Sequence, residues 1–482
     1  MRVALLLFLL SGFSVLGQKV YLSHEVEKQV EPSGGLSLLN QFVQENQQIP
    51  FRSAVKGLNG RVYVKGIVEP DGSMSAFEVA KGIDSLCNQE AIRIMGLYKA
   101  WKPAILKGEK VRQYFVYPVV FKAEPMHNYD STSSRFVDYF DKKFYLTTDP
   151  SQFEYRVFRS VDPQGYIGGD VISEQKNGKK WSRIGTVPFK RTEIWHRMTF
   201  AGSGKDSVSA YELAARDENL TSYASEAVFQ KNGKLLAHKE YGGDNKMVRK
   251  SEYDLNGLLR SLHISADSAN TVLLWYDNGQ LQSVVEYSLR KNTDGDGPMF
   301  INSWERDGVQ KVKDGNGLWS EKQWEKSGEM SVEEGMVVEG RKDGKWVSKL
   351  ESGKMKYEEL YQNDKLLKGT SYEDGIERTY DQEIIQPYFK NGINNYYKFL
   401  GQNIRYPIEA SRRRVGGRAY VSFVVCEDGS LCDYKVEKRV GFGIDEEALR
   451  VVKKMDGMWE PGVMRGKKVR VKYNLAINFQ LE

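Results

Sequence analysis

Three cysteines in 482 residues, Cys87, Cys426 and Cys432, are too few and odd in number for a disulfide framework. Five histidines (His24, His127, His196, His238, His263) are scattered, with no pair at short helical spacing and no cysteine partner, so neither a metal site nor a cofactor is expected. Only 13 prolines and 12% aromatics argue against a Pro-rich or disordered spacer. Neither sign of charge dominates: 70 basic and 64 acidic residues leave a net +6, which gives a soluble surface and does not imply nucleic acid. No G-x-S-x-G elbow or phosphate loop occurs, and the pair Glu333-Glu334 reads as solvated, so neither an enzyme nor a small-molecule substrate is expected; a hydrolase of envelope polymers built from distant carboxylates is the enzymatic alternative. Asp294-Gly295-Asp296-Gly297 lacks the other ligands of a calcium loop and reads as a turn.

Long apolar runs are also missing, apart from residues 2–17 (RVALLLFLLSGFSVLG). That run is shorter than the roughly 20 residues of a spanning helix, and Ser11, Gly12 and Ser14 interrupt it. Residues 1–17 therefore read as a secretory signal cleaved after Gly17, with no cysteine there to carry a lipid. The chain is too long for one core, so three or more units are expected.

What is present is a duplication. With Pro50 placed on Pro407, a displacement of 357 positions, Gly60, Arg61, Tyr63 and Val64 fall on Gly417, Arg418, Tyr420 and Val421. Asp71-Gly72-Ser73 falls on Asp428-Gly429-Ser430, and Glu90-Ala91 on Glu447-Ala448. After one inserted residue, Trp101, Pro103, Gly108, Lys110 and Val111 match Trp459, Pro461, Gly466, Lys468 and Val469.

The C-terminal copy begins with an aromatic helical segment, Tyr396 to Leu400, and a Tyr406-Pro407 step. A strand from Arg418 to Val425, an Asp-Gly turn and a return strand from Leu431 to Val440 make a hairpin. Asp445 is placed to cap a helix whose apolar residues Ile444, Ala448, Val451, Val452 and Met455 share a face. From Val469 to Leu481 every odd position is apolar, the pattern of a half-buried strand. Cys426 and Cys432 flank the turn, and register decides whether they face each other for a bridge; Cys87 reads as a small buried hydrophobe.

Together the Tyr-Pro step, the strand-Asp-Gly-Ser hairpin, the Glu-Ala helix and the Trp-x-Pro-Gly turn at Trp459 to Gly462 resemble the C-terminal domain of the TonB energy transducers. The resemblance covers residues 392–482 and, more weakly, 36–123, where Ile49-Pro50 and Trp101-Lys102-Pro103-Ala104 replace two motifs. It implies α+β terminal domains, each a small antiparallel sheet covered by two helices, and a periplasmic, non-catalytic module. The implied partner is an outer-membrane transporter or other envelope protein, whose extended peptide adds a strand to an exposed sheet edge. An inner-membrane energising complex is a further candidate partner.

On this sequence the edge maps to Arg470, Lys472, Asn474, Ala476, Asn478 and Gln480, and in the second copy to Arg112, Tyr114, Val116 and Pro118, where proline removes a donor. The polar segment before the Tyr-Pro step that contacts the partner in the family maps to Gln402, Asn403 and Arg405. The chain departs from the transducers in lacking a convincing anchor and a Pro-rich spacer, and in carrying two copies. Those copies suit bridging or avidity better than transmission of force. A structural envelope scaffold with no transport role is the competing reading.

Between residues 130 and 380 an aromatic strand, a polar turn with glycine and another strand recur. Examples are Phe229 to Gly233, Tyr253 to Gly257, Tyr276 to Gly279, Trp304 to Gly308, Trp324 to Gly328 and Asp343 to Trp346. These units resemble the MORN-variant repeats of antitoxin-like proteins and imply a central all-β repeat of hairpins stacked in series.

Overall fold

The computed structural model describes residues 19–198, 207–218, 221–242, 246–289, 297–325, 327–373 and 375–480. The expected leader at 1–17 and the turn at Asp294 to Asp296 lie outside them. The chain divides into two compact units at Gly317 and Leu318. Among the described residues no helix is long and apolar enough to cross a membrane.

The first unit opens with the N-terminal copy. Helix Leu36–Asn46 buries Leu39, Phe42 and Val43, one stripe at helical spacing, and stops at Gln47 ahead of Pro50. After the short helix Phe51–Val55 come the hairpin Asn59–Val68 and Met74–Lys81, helix Ser85–Leu97, and the long strand Glu109–Lys122. Asp84 caps that helix, its carboxylate accepting from Cys87 N at 2.7 Å, a contact worth about 1 kcal/mol. The sheet order is Val20–Tyr21, Glu109–Lys122, Asn59–Val68, Met74–Lys81.

The hairpin turn explains why its glycine and the tryptophan turn recur together. Gly72 sits at φ 84°, and a Cβ there would meet the Trp101 carbonyl oxygen at 2.5 Å. Gly429 repeats both features, at φ 84° and 2.3 Å from the Trp459 carbonyl. Any side chain would thus be strained in backbone and blocked in space.

The middle of the chain is not one uniform series of stacked hairpins. Residues 129–187 form a separate five-stranded antiparallel sheet. From Phe189–Arg197 to Gln310–Lys313, ten strands pair in chain order into a continuous meander. Its turns at 230–233, 254–257, 276–279 and 305–308 each close with a glycine N–H donating to the carbonyl three residues back, at 2.9 to 3.1 Å. Since each joins the same end of successive strand pairs, the tips form one row.

In the second unit the strands Met330–Val338, Arg341–Leu350, Met355–Gln362, Lys365–Glu373 and Ile376–Tyr380 pair in order. Gly335 lies under the buried Trp346 ring and Gly369 under Tyr380, contacts that a Cβ would close to about 2 Å. The C-terminal copy follows: helices Gly392–Asn403, Ile408–Arg412 and Ile444–Lys453 with a three-stranded sheet ordered Leu431–Lys438, Gly417–Val425, Val471–Phe479.

Two local expectations are corrected. Asp445 does not cap its own helix, whose N-cap is Gly443; its carboxylate accepts from Val440 N and Gly441 N at 2.8 and 2.9 Å and pins the preceding loop. The final strand is not continuous from Val469, because it is interrupted at Arg470, which lies between Lys467–Val469 and Val471–Phe479 and outside both.

The duplication also reaches further back than residues 36 and 392. Glu31–Pro32 pairs with Trp101–Lys102 in the first copy, and Tyr388–Phe389 with Trp459–Glu460 in the second.

Candidate protein-binding edges

In the C-terminal copy, Val471–Phe479 pairs on one side with Gly417–Val425, from Gly417 opposite Phe479 to Val425 opposite Val471. Among the described residues no strand pairs with its other side. Leu475, Ile477 and Phe479 are buried beneath the helices, while Lys472, Asn474, Ala476, Asn478 and Gln480 are exposed on the opposite face. The sequence-derived residues therefore line one face, and the open hydrogen-bonding groups belong to the backbone between the faces. On the exposed face Glu437 takes hydrogen bonds from Lys435 at 2.7 Å, Ser422 at 2.8 Å and Lys472 at 3.1 Å, which pull its pKa down to about 2. That network ties the three strands together.

The equivalent edge of the N-terminal copy is partly filled, which corrects the expectation for Arg112. Val20 and Tyr21 lie parallel to Glu109–Lys122, opposite Arg112 and Gln113. Val30 N donates to Gln113 Oε1 at 3.1 Å, and Gln47 Nε2 donates to the Val120 carbonyl at 3.1 Å. Two paired residues leave no periodic pattern to read. Farther along the strand Tyr114 is half-buried, and Val116 and Pro118 are exposed. Pro118 stands opposite Tyr63 in the sheet.

The pre-proline segment is held from beneath. The Arg405 N–H donates to Glu447 Oε1 at 2.6 Å, and the Asn403 carbonyl accepts from Arg450 Nη2 at 2.6 Å. Glu447 and Arg450 also pair with each other at 2.6 Å. Burial opposes ionisation of Glu447, yet hydrogen bonds from Arg450 and from the Arg405 amide keep its pKa below the usual range. Gln402 is exposed.

The N-terminal copy repeats this clamp: Gln48 N donates to Glu90 at 2.7 Å, Arg93 Nη2 donates to the Asn46 carbonyl at 2.7 Å, and Arg93 pairs with Glu90. Glu90-Ala91 and Glu447-Ala448 match in sequence, and the arginine three residues after each glutamate completes the clamp. The shared Glu-Ala-x-Arg pattern was the available signal.

The copies differ in what covers the helix face beside the clamp. In the first, Asn46 Oδ1 accepts from Leu259 N at 2.9 Å in a buried bond, Glu45 pairs with Arg249 at 2.7 Å, and Lys99 N donates to the Asn278 carbonyl at 2.8 Å. A Cβ on Gly279 would lie 2.9 Å from the Phe42 ring. Leu39, Phe42, Met95 and Tyr98 thereby share one apolar core with Leu258, Leu259, Trp275 and Leu281 of the meander. In the C-terminal copy the core, with Tyr396, Phe423, Val451, Trp459 and Ile477, draws on no residue before Phe389 among the described residues. On its first helix Ile393 and Tyr397 are 61% and 63% exposed.

That copy meets the strands of its own unit through a different surface, the turn at Arg465. The Arg465 guanidinium pairs with buried Glu359 at 2.9 Å and with Glu383 at 2.5 Å, and it lies 3.8 Å from the Tyr357 ring centroid. Glu359 also accepts from the hydroxyls of Tyr361 and Tyr380 at 2.9 and 2.7 Å.

Two regions of the chain, residues 46–123 and 402–481, match the family model described as Gram-negative bacterial TonB protein C-terminal. Among solved structures, the chain is similar to two NMR solution structures of the Helicobacter pylori TonB C-terminal domain. The one of its residues 179–285 is 24% identical, covering 20% of this chain and 89% of that one, with a TM-score of 0.16. The one of its residues 194–285 is 27% identical, covering 17% and 89%, with a TM-score of 0.15. No curated protein matches the chain. Both ends of the chain thus carry a TonB C-terminal-like domain, a similarity that suggests an envelope protein-binding role.

Proposed function

We propose that this chain is a periplasmic adaptor that binds extended peptides of outer-membrane transporters by strand addition along Val471–Phe479, and that it catalyses no reaction. One observation carries the reading: the outer side of that strand has no partner strand among the described residues, whereas in the first copy the start of the matching edge, at Arg112 and Gln113, already holds Val20–Tyr21. The two-residue parallel pairing of Val20–Tyr21 on the first copy supports this reading. Main-chain hydrogen bonds supply affinity in this mode, and alternate side chains supply selectivity.

The N-terminal copy has a structural part, since it shares its core with the meander. Export through the segment 1–17 and a spacer role for the MORN-like turns belong to the same proposal. Transmission of force does not.

The test is a fluorescence titration of the full chain with peptides from the N-terminal segments of outer-membrane transporters. Saturable binding that is lost in Ala476→Pro and kept in Val116→Pro supports docking at the C-terminal edge. Binding that survives Ala476→Pro, or no binding to any such peptide, contradicts it.

A further inference from the structure

The frame of the duplication exposes one chemical substitution. In the first copy Arg112 grips the Glu69 carboxylate through Nε at 2.7 Å and Nη2 at 2.8 Å, and the Ser75 hydroxyl donates to the same carboxylate. Displaced by 357 positions, Glu69 becomes Cys426 and Ser75 becomes Cys432; with the one inserted residue, Arg112 becomes Arg470. Where the first copy holds a carboxylate, a hydroxyl and an arginine, the second holds two thiols and an arginine.

The two sulfurs lie 2.8 Å apart, and Arg470 Nη2 reaches Cys432 Sγ at 3.3 Å and Asp433 Oδ2 at 3.0 Å. The hairpin holds them there: Cys426 N donates to the Ser430 carbonyl at 2.8 Å and Gly429 N to the Cys426 carbonyl at 2.9 Å. A register shift between Ser422 and Val424 brings Cys432 opposite Val424. A bond length of about 2.05 Å asks the sulfurs to close by only about 0.8 Å. Both cysteines are half-exposed, within reach of a reagent.

We propose that Cys426 and Cys432 are a reversible redox site that switches the partner of Arg470. In the forward direction the two S–H bonds break and one S–S bond forms. Two electrons and two protons pass to an external disulfide, which leaves as two thiols through a mixed-disulfide step. The bridged sulfur is a poorer acceptor than the thiol, so Arg470 is left with Asp433 alone. This holds whether or not the neighbouring edge takes a peptide.

The full chain is reduced, equilibrated with oxidised glutathione, alkylated and digested with trypsin. The fragment 419–435, which contains both cysteines, is expected to lose two hydrogens and take up no alkyl group, and the reductant is expected to restore both thiols. Alkylation of both cysteines, or two separate glutathione adducts, overturns the proposal. The guanidinium NMR signal of Arg470 is expected to shift on oxidation of the wild type and to stay fixed under the same treatment in Cys432→Ser. An unmoved wild-type signal overturns the switch.

Discussion

The two TonB-like copies share a backbone plan and use it in opposite ways. The N-terminal copy buries its helix face in the meander and leaves the Lys107 turn exposed; the C-terminal copy anchors through the matching Arg465 turn and leaves its helix face exposed. The first copy's edge is partly filled by Val20–Tyr21, while the second's has no strand partner among the described residues. A duplicated domain can thus become a structural part or a binding part according to which surface the rest of the chain covers.

The sharpest way to break this comparison is at the two equivalent turns. Arg465→Ala leaves the Glu359 carboxylate, whose side chain is fully buried, without its cation and is expected to destabilise the second unit by about 3–5 kcal/mol. Lys107→Ala, at the same place in the first copy, is expected to change stability by no more than about 0.5 kcal/mol. Urea unfolding of both variants measures the contrast, and equal effects would remove it.

The helix faces give the next contrast. Phe42→Ala opens a cavity in the shared core and is expected to cost about 3–5 kcal/mol, against no more than about 2 kcal/mol for the half-buried Phe399→Ala. Asn46→Ala orphans the buried Leu259 amide, at about 1–3 kcal/mol. Asn403→Ala removes only bonds to its own helix and to Lys454 and is expected to cost less than half as much. Thermal or urea midpoints decide both pairs.

How much of this was legible in the sequence follows from what leaves a pattern. The duplication, the Asp-Gly-Ser hairpin and the alternation at 475, 477 and 479 were readable, since turn chemistry and period-two burial are local. The strand Val20–Tyr21 was not, because two residues have no period. Nor was the docking of Asn46 on Leu259, a contact 213 positions apart between groups that look ordinary in sequence. The separate sheet at 129–187 does not stand out in the sequence, because its aromatic strands resemble those that follow.

A smaller effect is expected with pH. Burial lowers the pKa of His196, His238 and His263, all in the first unit, so the fold favours their neutral forms. Their contribution is present above about 6.5, the unfolded value, and is lost as the pH falls below it toward the folded pKa values. The thermal midpoint of the first unit is expected to fall between about pH 6.5 and 5, and less steeply in His238→Gln.

The most direct measurement is amide hydrogen exchange of the full chain with and without a saturating transporter peptide. New protection confined to Val471–Phe479, with Arg112 and Gln113 already protected beforehand by Val20–Tyr21, is the expected result. Protection that appears elsewhere, or exchange along Val471–Phe479 that the peptide leaves unchanged, would contradict the account.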